Sequence, residues 1–314
     1  MKKAAVVVTY DPPGNFADRL DVWMSQVDSL VIVDNGSAPA WRDDICRLIQ
    51  AKFTGVEFIS NEANVGIAAS LNRGFARLME MGLSLAFVFD QDSQPSAGMV
   101  DEMLDVYEQH PGRAGLAIVA PSIYIPSSDN SLSFLQARGP FFYRRARCSA
   151  GRTLEDVTIV ITSGALYSLN VYRQIGPFRE DFFIDYVDTE YCLRAHRHGY
   201  NIVVACQARL EHQFGNQRER RLGPLTMHPS FHSPLRWYYI SRNRVPVTRE
   251  YGVRFPHWFL YESLLNINGL ARLVLFEDHK AAKFLGMALG AWDGLLGHLG
   301  PASSARRAFL ARYE

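Results

Sequence analysis

The sequence predicts an α/β fold: a mostly parallel sheet with helices on both faces, followed by a C-terminal helical extension. Three observations lead there. Short β-branched runs alternate with amphipathic stretches as far as Ala120. Polar residues stand at the ends of those runs. From about Ser233 the chain turns aromatic and basic, then long and apolar. Strands alternating with helices imply parallel pairing covered on both faces.

The elements follow in order. Ala4–Tyr10 is a first strand, stopped by Asp11-Pro12, and Arg19–Gln26 reads as a helix. Ser29–Val33 is a second strand ending at Asp34-Asn35-Gly36-Ser37, and Trp41–Ala51 is helical. Val56–Ser60 is a third strand, Ile67–Met81 a helix closed by Gly82, and Leu85–Phe89 a strand that meets Asp90. A helix over Ala97–His110 and a strand over Gly115–Ala120 complete this half. Further on, Thr158–Thr162, Asn201–Ala205 and Ala208–Glu211 read as strands. A helix runs to His198 with Gly199 as its cap. The division expected is residues 1–232 for the main domain, in halves of about 1–120 and 121–232, then 233–314 for the helical region.

The 314 residues carry 33 Lys and Arg against 32 Asp and Glu, a balance that gives no reason to expect nucleic acid as a partner. Cys46, Cys148, Cys192 and Cys206 have no metal or redox spacing and read as free thiols of a reducing compartment. The first apolar run is too short for a signal-peptide core. No stretch reaches the roughly 20 apolar residues that span a bilayer. These features lead us to expect a cytoplasmic protein. The apolar segments Phe259–Leu275 and Phe284–Leu299 either pack on the main domain or rest on the inner face of the inner membrane.

Three common site motifs are absent: the dinucleotide Gly-x-Gly-x-x-Gly, the P-loop and the Gly-x-Ser-x-Gly elbow. What remains is polar strand ends, where open α/β sheets bind ligands. Thr9 and Tyr10, Asp34 and Asn35, Asn61 and Asn64, and Asp90 and Asp92 all stand there. If the strand continues through Asp90-Gln91-Asp92, both carboxylates face one way and would repel without a cation. Mg²⁺ or Mn²⁺ suits such oxygen donors. The plainer reading is that Asp90 ends a strand and Asp92 caps the next helix. Taken alone, the pair favours that plainer reading.

A second acidic group, Asp185-Tyr186-Val187-Asp188-Thr189-Glu190, opens a helix. Asp185 reads as its N-cap, and Glu190 and Arg194 are spaced to pair. Capping explains Asp188 least well, which makes Asp188 the candidate general base. His212 follows a strand and could complete a metal shell; a lone histidine is more often structural. Arg242 and Arg244, behind Trp237–Tyr239, suit a diphosphate or line a solvated helix face.

Together these residues resemble the family-2 glycosyltransferases of GT-A fold, and among them the bacterial rhamnosyltransferases. The matching pieces come in the family's order. They are Val7-Val8-Thr9-Tyr10, Val33-Asp34-Asn35-Gly36-Ser37, Asn64-Val65-Gly66-Ile67-Ala68, Asn72-Arg73-Gly74 and Phe89-Asp90-Gln91-Asp92-Ser93. Ser163-Gly164, Phe183 through Glu190, Leu193-Arg194, Gly199-Tyr200, His212 and Tyr238-Tyr239 with Arg242-Asn243 follow. The resemblance covers about residues 4–245.

It implies that Thr9, Tyr10, Asp34, Asn35, Asn64, Gly66, Asn72 and Gln91 belong to the nucleotide-sugar site. It implies that Asp92 binds metal, that Asp90 serves the metal or the donor, that His212 is a further ligand and that Asp188 is the base. The family's usual Glu-Asp pair reads Val187-Asp188 here, so the glutamate is missing and the aspartate stays. The expected reaction moves L-rhamnose from dTDP-β-L-rhamnose to a hydroxyl of a bacterial surface glycan, free or lipid-linked, with inversion. The alternatives are a UDP- or GDP-sugar donor, or a nucleotide-sugar-binding protein without turnover.

Overall fold

The computed structural model describes residues 2–12, 14–126, 130–149, 151–211, 220–222, 225–227 and 231–312. In chain order the strands are β1 (Ala4–Thr9), β2 (Ser29–Asp34), β3 (Val56–Ser60), β4 (Leu85–Asp90), β5 (Gln94–Pro95), β6 (Leu116–Ile125) and β7 (Asn130–Ser131). Then come β8 (Phe134–Ala137), β9 (Tyr143–Ala146), β10 (Thr153–Leu154), β11 (Leu166–Ser168), β12 (Asn201–Glu211), β13 (Arg220–Leu222) and β14 (Leu225–Met227). The helices are α1 (Phe16–Met24), α2 (Pro39–Lys52), α3 (Ile67–Glu80), α4 (Met99–Gln109), α5 (Leu169–Ile175) and α6 (Val187–Arg197). They continue with α7 (Pro234–Tyr251), α8 (Pro256–Phe276), α9 (Lys280–Leu296) and α10 (Ser304–Ala311).

The chain forms two compact units. One comprises Met1–Gln136, Arg145–Phe183 and Val187–Gln213. The other comprises Ala137–Arg144, Ile184–Tyr186 and Phe214–Glu314.

The first unit is built on one sheet in the order β10-β12-β6-β11-β4-β1-β2-β3, with β5 beside β12 and β7 beside β6. β3, β2, β1 and β4 run parallel. β1 and β2 are buried at every position, so their sequences are unbroken apolar runs rather than alternating ones. Register decides what their ends do. Thr9 lies opposite Asp34, Asp34 opposite Ser60, and Val8 opposite Asp90. Four polar strand ends are thereby brought to one rim.

α3 covers this sheet with a buried stripe that includes Ala68, Leu71, Phe75 and Leu78. Phe75, Tyr167 of β11, Phe178 and Tyr191 of α6 form an aromatic cluster with centroids 4.7–5.6 Å apart. That cluster joins the early parallel strands to the later acidic segment. α6 ends where Gly199, at φ 83°, lets the Gly199 and Tyr200 amides turn back to His196 and Ala195.

The structure corrects several expectations. Thr158–Thr162 is not a strand; the chain there is irregular, and the strand is β11, antiparallel to both β4 and β6. Asn201–Ala205 and Ala208–Glu211 are one strand, β12, with a register shift between Ala205 and Arg209. Cys148 and Cys206 are joined as a disulfide with Cα atoms 5.1 Å apart, while Cys46 and Cys192 are free. The pairing spans 58 residues and arises where the Cys206 amide donates to the Arg152 carbonyl, beside β10.

The second unit is organised by α7 and α9. Gly286, Gly290 and Gly294 recur every fourth residue on α9. A Cβ at these glycines would overlap the carbonyl oxygens of Pro234, Tyr238 and Arg242 respectively, which recur every fourth residue on α7. The two backbones therefore touch. Polar links reinforce the seam: Tyr238 donates to Asp293 Oδ2 at 2.8 Å, and Arg306 reaches the same carboxylate at 3.0 Å. Gly290→Val has no flexible neighbour to displace, only backbone. It is expected to cost at least about 1–3 kcal/mol, read as a lower urea midpoint.

Candidate active site

The rim made by β3, β2, β1 and β4 is held by side chains bonding to one another. Asp34 is fully buried. Its carboxylate accepts from Thr9 Oγ1 at 3.3 Å, from the Ser37 amide at 3.1 Å, from Ser60 Oγ at 3.5 Å and from Ser37 Oγ. A buried carboxylate with several donors is stable where an unpaired one would not be. Asp34 thus closes the loop after β2 onto β1 and β3. The sequence marks Ser37 only as part of the turn after β2, and Ser60 only as the last residue of a strand; a serine three residues after an aspartate is a turn signal.

A second layer is built from asparagines. Asn35 donates to Asn64 Oδ1 at 3.0 Å and accepts from the Val65 amide at 2.9 Å. Asn64 Oδ1 also accepts from the Gly66 amide at 3.0 Å. Gly66 takes φ 91°, and a Cβ there would lie 2.5 Å from the Phe183 carbonyl oxygen. The Ile67 amide donates to that same carbonyl at 2.8 Å. The loop from Asn61 to Gly66 is therefore fastened to the residue that leads into the second acidic group.

At the end of β4 the structure revises the expected geometry. The strand stops at Asp90, and the Ser93 amide donates to the Asp90 carbonyl at 2.9 Å, closing a turn over Gln91-Asp92. Strand alternation therefore does not place Asp90 and Asp92 on one face. The capping alternative fails too, because α4 starts at Met99 behind Gly98. Asp90 and Asp92 are both half-buried on this turn. Gln91 makes a reciprocal pair with Tyr10: its Oε1 accepts from the Tyr10 amide at 2.8 Å and its Nε2 donates to the Tyr10 carbonyl at 3.3 Å. Tyr10 itself is exposed. Ser93 is buried and bonded to Ser163, which ties the turn to the segment entering β11.

Asp188 occupies the first turn of α6, half-buried, with Oδ1 accepting from the Thr189 amide at 2.7 Å. Asp188 adds to the upward shift of the Tyr167 hydroxyl and the Cys192 thiol, both raised chiefly by burial. Its charge is therefore felt at β11, the strand beside β4. Glu190 is buried and pairs with Arg194 at 3.0 Å; Arg194 also holds the carbonyls of Ile175 and Pro177. The spacing foretold that pair, but it is internal rather than superficial.

Asn72 has a different placement. It is buried on α3. Its Oδ1 accepts from Tyr172 Oη and the Phe178 amide, and its Nδ2 donates to the Phe178 carbonyl and Glu180, all at 2.8–2.9 Å. It is a strut under the acidic segment.

The remaining described candidates lie in the second unit. Asp185 does not cap α6. It sits two residues before the helix at φ 62°, and its Oδ1 accepts from Arg236 at 3.2 Å. Its Oδ2 is buried without a hydrogen-bond donor. Burial raises its carboxyl above the ordinary range, and Arg236 opposes that shift. Arg242 is fully buried, stacks on Tyr239 at 4.8 Å and bonds to Asn243 Oδ1 and the Gly300 carbonyl. Asn243 holds the carbonyls of Ile184 and Asp185 at 2.7 and 3.0 Å. Arg244 donates to Tyr186 Oη at 2.8 Å and lies 3.5 Å from Glu262. His212 lies outside the described residues.

Among the described residues, no three His, Cys, Asp or Glu side chains converge on one point. Asp90 and Asp92 are hard oxygen donors on a half-buried turn. They fit a cation such as Mg²⁺ or Mn²⁺ that takes its other ligands from water and a diphosphate.

A family model for "Glycosyltransferase like family 2" matches residues 20–239. The chain belongs to that family. As a family-2 glycosyltransferase it has recognisable relatives. It is 26% identical over 247 residues to the dTDP-rhamnosyl transferase RfbF of Shigella flexneri, covering 78% of this chain and 79% of that one. It is also 26% identical over 233 residues to an N-acetylglucosaminyl-diphospho-decaprenol L-rhamnosyltransferase of Mycobacterium tuberculosis, covering 66% and 74%. In fold the glycosyltransferase is similar to a crystal structure of GalNAc-T7 with UDP, GalNAc and Mn²⁺. The TM-score is 0.59 at 10% identity over 79% of this chain, which spans about half (48%) of that one. The GT-A type of fold expected from the sequence is the one observed.

Two outcomes test these placements. Asn72→Ala leaves the Tyr172 hydroxyl and the Phe178 amide without their acceptor, so thermal unfolding is expected to show a loss of about 1–3 kcal/mol. Asp185 titrates with a raised folded-state value, so its contribution to stability is largest at acid pH and falls as pH rises through that value. Asp185→Asn is therefore expected to gain stability relative to the unsubstituted protein as pH rises from the ordinary carboxylate range towards neutrality, measured by urea titration at each pH.

Proposed function

We propose that this glycosyltransferase transfers L-rhamnose from dTDP-β-L-rhamnose to a hydroxyl of a bacterial surface glycan, with inversion, using Asp188 as general base. The observation that carries this reading is the presence of both acidic groups on the first unit, a half-buried Asp90–Ser93 turn at the end of β4 and an aspartate in the first turn of α6. Phe183 fastens that segment to the loop after β3. The Shigella relative is named for a dTDP-rhamnosyl donor and the Mycobacterium relative for the transfer of L-rhamnose, which supports this choice of donor.

In this reading the acceptor oxygen attacks the anomeric carbon opposite the departing diphosphate. Asp188 takes the hydroxyl proton as the new bond forms. The carbon–oxygen bond to the diphosphate breaks, and one displacement converts the β-donor into an α-rhamnoside. Asp92, with Asp90, would hold Mg²⁺ or Mn²⁺ at the diphosphate, and the ion when bound supplies charge neutralisation. Asn64 and the backbone at Tyr10 and Gly66 line the nucleotide side, positioned from beneath by the buried Thr9, Asp34 and Asn35 and by Gln91. We assign Asn72, Arg242 and Arg244 to support, because their polar atoms are engaged within the fold. The half-buried Asp188 favours turnover over simple binding, since a binder needs no base.

Asp188→Asn is expected to lower turnover about 10²–10⁴-fold with little change in donor affinity, measured as dTDP release with and without acceptor. Normal turnover by this variant would show that the base lies elsewhere. The donor is tested separately by thermal shift with Mn²⁺ and either dTDP, UDP or GDP. The dTDP shift is expected to be largest and to shrink in EDTA, whereas a larger UDP or GDP shift selects the other donor class.

A further inference from the structure

α9 is inside out. Its buried positions are Ala282, Lys283, Gly286, Gly290, Asp293 and Gly294. Its exposed positions carry Phe284, Leu285, Trp292, Leu295 and Leu296, with Trp292 59% and Leu295 64% accessible. An ordinary surface helix does the reverse, turning its apolar stripe to the core. Here the core face had to be small so that the backbones of α7 and α9 could meet, and the bulk was placed outward.

α8 also turns most of its apolar bulk outward. Of its 21 residues only His257, Trp258 and Leu273 are buried. Seven more large apolar side chains between Phe259 and Leu275 are exposed. These two helices hold most of the exposed large hydrophobic side chains of the described residues. Exposed apolar side chains in this number mark a contact with something apolar.

The charge of the same segment says what that something is. Residues 233–314 contain 11 Arg and Lys against 6 Asp and Glu, whereas residues 1–232 contain 22 against 26. Arg249, Arg254, Lys280, Arg307 and Arg312 are exposed; Arg254 precedes α8 by two residues and Lys280 opens α9. Within α8 the charged residues are Glu262 and Arg272, and neither is fully exposed. Neither helix is long and apolar enough to cross a membrane. Uncharged apolar stripes, an exposed tryptophan and flanking cations are the composition of a helix lying in a lipid–water interface.

We propose that the exposed faces of α8 and α9 form an interfacial docking surface for an anionic phospholipid bilayer. The apolar stripes enter the headgroup–acyl boundary, and the flanking cations meet the lipid phosphates. A second copy of the chain would also cover apolar stripes, but it would bring its own like-charged segment to them. An anionic bilayer has the complementary sign. This inference does not depend on which sugar is transferred.

The test is sedimentation of the full chain with vesicles of phosphatidylcholine and phosphatidylglycerol in equal parts, at low and high salt, beside vesicles of phosphatidylcholine alone. Binding to the anionic vesicles is expected, and it should weaken with salt and be much weaker on neutral ones. Trp292→Glu with Leu295→Glu is expected to lower partitioning about tenfold or more, because two interfacial anchors are replaced by anions. Both positions are exposed, so an unchanged thermal midpoint verifies folding. Should the pair fail to fold, Lys280→Glu with Arg307→Glu is expected to weaken binding with no apolar change. Fluorescence gives an independent readout: a blue shift on adding anionic vesicles should vanish in Trp292→Phe. A chain that stays in solution with anionic vesicles at low salt overturns the proposal. Equal binding to neutral vesicles also overturns it. So does a stable dimer that Trp292→Glu dissociates and that binds no lipid.

Discussion

The in-register parallel pairing of β3, β2, β1 and β4 is the constraint on which the site depends. Each strand stops at a polar residue, and the ladder aligns those stops. Thr9 faces Asp34, and Asp34 faces Ser60. Alignment lets one buried carboxylate, Asp34, serve as the common acceptor for three loops. With Asp34 satisfied, the Asn35–Asn64 layer can form above it. With that layer in place, Gly66 is close enough to Phe183 for the second acidic segment to be fastened there. Parallel strands deliver their loops to a single edge, so remote parts of the sequence share one rim.

Much of this was legible in the sequence, for a physical reason. β1, β2 and β4 are continuous apolar runs, and burial on both faces demands that pattern; β3, at the sheet edge, is half-buried and carries Glu57. The residues at their ends were visible for the same reason. Less visible was anything fixed by distant pairing. β11 has three residues and is a strand only because β4 and β6 lie on either side. Cys148 and Cys206 meet only because β10 pairs with β12. Asn72 looked like a pocket residue, yet its partners are Tyr172, Phe178 and Glu180, about a hundred residues on.

The two acidic groups show how local geometry can redirect a residue. Asp90-Gln91-Asp92 reads as a strand end, but the Ser93 amide folds it into a turn, and Gln91 is spent on the backbone of Tyr10. Asp185 reads as a helix cap, but positive φ at Asp185 and Tyr186 delays the helix to Val187. Asp188 then falls in the first turn, where its side chain is bonded locally. In both cases the residue types were informative while their directions were set by one or two dihedral angles.

The seam between α7 and α9 has a thermodynamic corollary. Three glycines contribute close backbone contact but almost no apolar burial, and the large side chains of α9 remain in water when the unit folds. Their transfer free energy is thus missing from the unit's own stability and is realised only when something covers them. A phase that binds the folded form more tightly than the unfolded chain links association to the folding of this segment by mass action. The C-terminal unit holds part of its folding free energy in reserve, to be released at a surface.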